Sequence, residues 1–187
     1  MKIQEKKYKD LNKPSLREDY LTPGVEIINP ILNFCGLDMF DIDVCCTQEN
    51  IPAERYFCGQ LVDGLDQEWR GVCWLNPPYS KSEKWVKKAV KEVLKGAEVW
   101  AIIPARTETR YWQENILNNP HAFFVPLRKG ICFLDPDTHE KMGMYKNPLA
   151  IVYFGKKAAE VCHAWNYNAP ISAVAFLGET LKARVPA

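Results

Sequence analysis

The sequence predicts an α/β fold: a doubly wound, mostly parallel sheet with an antiparallel edge. Strand-like and helix-like patterns alternate through the first two-thirds of the chain, the order that a parallel sheet covered on both faces requires. Strand patterns then crowd together toward the end, as antiparallel neighbours do. A third observation says where a ligand would sit. Asn76-Pro77-Pro78-Tyr79 follows a strand pattern at once, and open α/β sheets bind ligands outside the carboxyl ends of their strands.

Each element has its own signal. Residues 1–16, with Lys6, Lys7 and Lys9, are expected to form a flexible basic terminus, and residues 17–187 a single domain. Thr22 reads as a helix N-cap with Pro23 at the first helical position and Glu26 in the first turn. Pro30 would remove a mid-helix hydrogen bond, so this segment kinks or splits into two short helices ending near Gly36. Met39 to Val44 alternates, with Phe40, Ile42 and Val44 opposite Asp41 and Asp43, as a two-faced strand does. Val72 to Leu75 is the next strand. The helix after it has Ser80 and Glu83 as a capping box, an apolar stripe of Val86, Ala89, Val90, Val93 and Leu94, and Gly96 as its stop. Glu98 to Ile103 is a strand and Thr109 to Leu117 a helix. Ala122 to Val125, Ile131 to Leu134 and Leu149 to Phe154 are the later strands.

Bulk properties narrow the function classes. A chain of 187 residues can bury one core, and 47% hydrophobic with 25% charged residues is the composition of an ordinary globular protein. No apolar run approaches the roughly 18 residues of a membrane span, and the lysine-rich start lacks the apolar centre of a signal peptide. A cytoplasmic location is expected. The seven cysteines are odd in number and lack CxxC spacing; Cys35, Cys73 and Cys132 sit in apolar stretches, so reduced thiols are expected. Asp135, Asp137, His139 and Glu140 lie in a polar loop without the spacing that metals favour, so no metal is expected. His121 and His163 read as structural. A net charge of +1 gives no global field toward nucleic acid. Lys81, Lys84, Lys87, Lys88, Lys91 and Lys95 cluster locally, although lysines on a helix face more often serve solubility.

The chemistry concentrates in the tetrapeptide. The lone pair of an exocyclic amine on adenine or cytosine is delocalised into the ring, which makes the nitrogen a poor nucleophile. Two acceptors that bond both N–H groups pull it toward tetrahedral geometry and free the lone pair. The side-chain oxygen of Asn76 and the carbonyl of Pro77 can be those acceptors. Prolines fix the turn that aims them, and the Tyr79 ring can stack on the base. Catalysis of this kind is positioning plus electrostatics. Read without its surroundings, the same tetrapeptide is a rigid strand-to-helix turn.

Asn76-Pro77-Pro78-Tyr79 resembles the catalytic motif of amino methyltransferases, and its setting resembles the phage and prophage DNA N6-adenine methyltransferase (Dam-like) family. The likeness runs in order from about residue 17 to residue 154. It is carried by Asp19-Tyr20-Leu21-Thr22-Pro23, Phe40-Asp41-Ile42-Asp43-Val44-Cys45, Asp63-Gly64-Leu65, Trp69, Leu75 through Ser80, Trp85 with Lys88-Ala89, and Pro104-Ala105-Arg106-Thr107. The resemblance implies a Rossmann-like methyltransferase fold, S-adenosylmethionine as methyl donor and DNA as partner. It also implies a cofactor pocket lined by Thr22, Pro23, Asp41, Asp43, Asp63 and Asn76. Asp43 would face the methionine or ribose end and Asp63 the adenine amine, since all of these groups are donors. No glycine-rich GxGxxG loop is present. Gly130-Ile131-Cys132-Phe133 resembles a segment that helps hold the target base, while Phe133 by itself reads as core. Charge nominates Arg106, Arg110, Arg128 and Lys84 as phosphate contacts, and a short or relaxed recognition site follows from the lack of room for a separate recognition domain.

Two other readings stay open on the sequence. An RNA base or a protein glutamine presents the same pair of N–H donors, so the tetrapeptide does not choose among acceptors. A non-catalytic nucleic-acid-binding module could keep the fold without the reaction. Oligomeric state is not legible.

Overall fold

The structure, a computed structural model, describes residues 20–59, 61–128, 130–168 and 176–177. The basic terminus and Asp19 lie outside them. Among the described residues the chain forms one seven-stranded sheet: β1 (Phe40–Cys46), β2 (Ala53–Cys58), β3 (Val72–Leu75), β4 (Glu98–Pro104), β5 (Ala122–Pro126), β6 (Leu149–Phe154) and β7 (Phe176–Leu177). The spatial order is β2-β1-β3-β4-β6-β5-β7. The first four strands run parallel, and β6 joins β4 antiparallel and begins the antiparallel edge. The expected mixed sheet is thus present. The order reverses at β1, with β2 on one side and β3 on the other, and such a switch point opens a crevice at the strand ends.

Helices cover both faces. A π-helical turn, Gly24–Ile28, runs directly into α1 (Asn29–Cys35), which ends at Gly36 in the left-handed region with φ 67°. This is the split that Pro30 demands, since the proline occupies the first turn of α1, where its missing N–H costs nothing. A short 3₁₀ turn, Tyr79–Lys81, leads into α2 (Ser82–Lys95); α3 (Arg110–Trp112) continues as a π-helical turn, Gln113–Leu117; α4 (Ala158–Asn168) comes last. One core layer gathers Ile28, Ile31, Trp100 and Trp165 against α1 and α4. The other gathers Val86, Ala89, Val93, Trp112 and Ile116 under α2 and α3. Every residue of β6 is buried, as a strand covered on both faces requires.

Several local expectations are corrected. Pro23, not Thr22, is the N-cap of the first helical turn. Ser80 does not cap α2: the tetrapeptide enters a 3₁₀ turn first, the helix begins at Ser82, and Glu83 pairs with Lys87 at 2.6 Å. Leu94 is 62% exposed and Glu92 is buried in its stead, accepting from Lys88, Lys95 and the Trp69 amide. Ile131–Leu134 is not a strand; only Leu134 forms bridges, to Leu21 and Lys141. Strands β2 and β7 and helix α4 lie where no element was expected. The edge strand β2 hides because its Glu54 and Arg55 blur the alternation. Cys46 and Cys58, opposite each other across β1 and β2 with Cα atoms 4.5 Å apart, form a disulfide where free thiols were expected.

Candidate active site

A cavity of about 430 Å³ opens at the carboxyl ends of β1, β2 and β3. Backbone lacing builds its floor. Segment 20–22 lies across the strand ends, held by reciprocal Leu21–Leu134 amide bonds at 3.1 and 3.0 Å. The Asn50 amide donates to the Thr22 carbonyl at 3.0 Å, and the Asn76 Nδ2 donates to the Tyr20 carbonyl at 2.9 Å. With Nδ2 committed, the Asn76 Oδ1 is the end of the carboxamide left for an acceptor role. The Pro78 carbonyl takes the Lys81 amide at 2.9 Å in the turn that starts the 3₁₀ segment.

The structure brings Thr22, Asp43, Asp63, Asn76 and Pro78 around this one cavity. Asp43 is 3% exposed and receives the Cys45 amide on Oδ1 at 3.2 Å. Burial pushes its carboxyl up to about 7, and the Cys45 amide only partly offsets that. A carboxylate so desolvated is stabilised by any hydrogen-bond donor that enters. Asp63 stands exposed on another side of the cavity, its Oδ1 accepting the Leu65 amide at 2.9 Å. The loop that carries it is pinned from below. A Cβ on Gly64 would overlap the Val44 carbonyl oxygen, and the Trp69 indole donates to the Gly64 carbonyl at 2.8 Å. Trp74, Trp85 and Phe57 supply apolar walls.

Other nominated residues go elsewhere. Asp41 is not on the cavity; its Oδ2 takes the Val72 amide at 2.6 Å and locks the turn entering β3. That turn needs Gly71, whose φ is 69° and whose Cβ would strike the Asp41 carboxyl. Asp41, expected to line the cofactor pocket, thus holds the entry to β3 and lies off the cavity lining. Pro23 is buried beside the cavity without lining it. Tyr79 is 4% exposed and does not face the cavity either. Its ring meets Tyr145 at 5.3 Å and Phe133 at 6.2 Å, both edge-on, and Tyr20 stacks on Phe133 at 5.7 Å. Among the described residues its hydroxyl has no hydrogen-bond partner, and burial holds its pKa well above the usual phenol range.

Arg106, Arg128 and Lys84 are exposed. Arg106 and Arg128 follow β4 and β5, whose ends lie with that of β3 at the edge of the sheet that carries Asn76. Arg110 is exposed too, but its guanidinium is taken by Glu114 at 2.7 Å. Among the described residues no group of three or more His, Cys, Asp or Glu could hold a metal ion, and no helix is long and apolar enough to cross a membrane. His139 sits 2.9 Å from the Gln48 amide in the polar loop. A larger cavity, about 940 Å³, lies at the other end of the strands, where Val72 and Glu98 begin β3 and β4. Its acidic Glu98 already accepts the Tyr153 hydroxyl at 2.8 Å, and none of the tetrapeptide reaches it.

Residue reasoning missed Asn50, Phe57 and Tyr145. The first two fall on short polar or edge segments with no periodic signal, and Tyr145 stands in an irregular loop.

A family model described as DNA N-6-adenine-methyltransferase (Dam) matches residues 12–169. A DNA N-6-adenine-methyltransferase of Escherichia phage T1 is 28% identical over 125 residues, covering 66% of this chain and 51% of that protein. Another of the same name, from Haemophilus phage HP1 (strain HP1c1), is 26% identical over 121 residues, covering 64% of this chain and 69% of its own. The match thus spans about half the length of the phage T1 relative. No solved structure matches significantly. A family model that runs through the tetrapeptide and every cavity-lining residue settles the kinship: the chain belongs to the DNA N-6-adenine-methyltransferase (Dam) family.

Proposed function

We propose that this protein methylates the exocyclic N6 of adenine in DNA, with S-adenosylmethionine as donor, and that residues 17–187 act as one catalytic unit. The observation that carries this reading is the Asn76 carboxamide at the end of β3, its Nδ2 tied to the Tyr20 carbonyl and its Oδ1 left at the cavity. The chain's residues fit the donor. Asp43 is a buried carboxylate in need of hydrogen-bond donors, and the ribose hydroxyls and ammonium of S-adenosylmethionine are donors. Asp63 is a second carboxylate for the adenine amine, Trp85 and Phe57 offer apolar surface, and the volume suits a ligand of this size. The bound cofactor supplies a methyl group on a positively charged sulfur.

The protein's part is to make the amine reactive. Asn76 Oδ1 and the Pro77 carbonyl accept the two N–H groups of adenine N6 and draw the nitrogen toward tetrahedral geometry. The turn through Pro77 and Pro78 fixes both acceptors before the base arrives, which is where an electrostatic site gains most. No general base is required, because the methylated nitrogen is acidic enough to release its proton afterwards. Tyr79 stacks on the base once the rings around it part. A duplex adenine must first leave the stack, at a cost of a few kcal/mol. Exposed Arg106, Arg128 and Lys84 contact phosphates meanwhile. DNA in a bacterial host's cytoplasm is the substrate consistent with the phage relatives.

The test is methyl transfer from labelled S-adenosylmethionine to unmethylated DNA, read by nucleoside mass spectrometry beside Asn76→Ala. N6-methyladenine that disappears in the variant is the expected result. Label in cytosine would change the base. Label entering only RNA or protein, or none despite cofactor binding, would overturn the DNA assignment.

A further inference from the structure

Tyr79 poses a problem for the function proposed above, on which this inference rests. A base can stack on Tyr79 only if one face of the ring is open, yet the ring is 4% exposed and packed against the rings of Phe133 and Tyr145. One of these rings must yield. Phe133 is 2% exposed, on backbone bonded at both neighbouring points: Leu134 pairs with Leu21, and the Phe133 carbonyl accepts the Met142 amide at 2.8 Å. The Tyr20 ring stacks on Phe133 and meets Tyr145 edge-on, outside the contacts that Phe133 and Tyr145 make with Tyr79. Tyr145 is the remaining wall. It is half-buried between exposed Met144 and Lys146, on a loop without regular structure, and its amide donates to the Ile131 carbonyl at 2.9 Å. Its hydroxyl has a long contact, 3.4 Å, with the Asn147 amide.

The ring also has somewhere to go. A cavity of about 620 Å³ adjoins it, lined by Leu127, Arg128, Gly130, Met144 and Tyr145 itself. On its wall the Met144 side chain packs directly on Gly130, where a Cβ would collide with it. Arg128, exposed on the rim, is one of the cations nominated for phosphate.

We propose that Tyr145 is the gate of the target-base pocket: closed on Tyr79 in the free protein, it turns into the adjoining cavity to admit the extruded adenine. Closure keeps the Tyr79 ring dry and denies the site to bases that are not delivered by a bound duplex. Opening exposes the face that the adenine then covers, next to Asn76. Tyr145 is a positioning residue here; it takes no part in the methyl transfer.

The experiment uses a duplex in which the adenine that the wild-type protein methylates is replaced by 2-aminopurine, whose fluorescence rises when it leaves the stack. Stopped-flow traces compare wild type, Tyr145→Phe and Tyr145→Ala, with folding checked by circular dichroism. Base entry in Tyr145→Phe should match wild type, since the ring is kept. In Tyr145→Ala it should be at least several-fold faster. Equal or slower entry in the alanine variant overturns the gate. If the alanine variant does not fold, wild-type protein labelled with 3-fluorotyrosine gives the answer by fluorine NMR. The Tyr145 resonance, assigned through Tyr145→Phe, must shift when the duplex binds, and an unmoved resonance overturns the proposal. Absence of N6-methyladenine from the wild-type reaction would sink the proposed function instead, so the two failures are distinguishable.

Discussion

The side-chain amide of Asn76 has two ends with opposite demands, and the Tyr20 carbonyl sets which end faces inward. Asn76→Asp keeps a side-chain acceptor but places a carboxylate oxygen against that carbonyl, so the group should turn away. A loss of kcat on the order of 100-fold is expected, the scale of removing one preorganised polar group, while DNA affinity changes little. Single-turnover methylation and a separate binding titration check this; retained kcat would mean the Tyr20 contact orients nothing. Asp43 makes a different prediction. Its carboxyl is pushed up to about 7 by burial, so the free fold holds a proton that the unfolded chain has lost. Stability attributable to Asp43 is therefore full in the acid range below the ordinary carboxylate value and falls as pH rises through about 7. Asp43→Asn should raise Tm at about pH 8 and weaken cofactor binding. Because entering donors favour the ionised form, cofactor binding should release a proton, and Kd should climb toward tenfold per pH unit below about 6. Calorimetry in buffers of different ionisation enthalpy reads both effects, and a pH-independent Kd would remove Asp43 from the contact.

At the scale of elements, the Asp63 loop is held by close packing and a covalent tie anchors the strand ends beneath it. Gly64→Ala forces a methyl against the Val44 carbonyl, so β1 or the loop must shift. A cost of about 1–3 kcal/mol is expected for such overpacking, together with weaker cofactor binding, because Asp63 moves with the loop. Chemical denaturation and a cofactor titration measure the pair; unchanged affinity with lost stability would separate the loop from the ligand. Reducing Cys46–Cys58, whose sequence separation is 12, should lower stability by roughly 3 kcal/mol from loop entropy. Thermal melts with and without dithiothreitol, and of Cys58→Ser, check it. This bond also shows what the sequence could not convey. Strand β1, the tetrapeptide and α2 were legible because each has a local signature: alternation, a turn of two prolines, an apolar stripe ended by Gly96. The partner of Cys46 was not, because β2 is an edge strand with a polar exposed half, and only its pairing brings Cys58 alongside. Asp41 and Asp43 illustrate the same limit. Two residues apart on one strand, they differ in that one meets the Val72 amide and the other the cavity, which depends on the register of β3 against β1.

For the whole molecule, charge bears on how the proposed DNA substrate would be engaged. Net charge is +1, so attraction to a polyanion must come from local placement. Much of the positive charge is already spoken for. Lys87 pairs with Glu83, Lys88 and Lys95 with Glu92, Arg110 with Glu114, Lys141 with Glu26 and Arg70 with Glu68. Arg106 and Arg128 differ in position, since both follow strands that end at the same edge of the sheet as β3, which carries Asn76 at its end. Each phosphate neutralised contributes close to one to the slope of log affinity against log salt. Arg106→Ala and Arg128→Ala should therefore each lower that slope by about 1 and weaken binding at all sequences alike. Arg110→Ala should leave the slope nearly unchanged, because Glu114, not a phosphate, holds its guanidinium. Fluorescence anisotropy with duplex DNA from about 50 to 200 mM salt measures the three slopes. Equal losses for all three would mean that the Arg110–Glu114 pair opens on DNA, and no loss for Arg106 or Arg128 would move the phosphate contacts to another face.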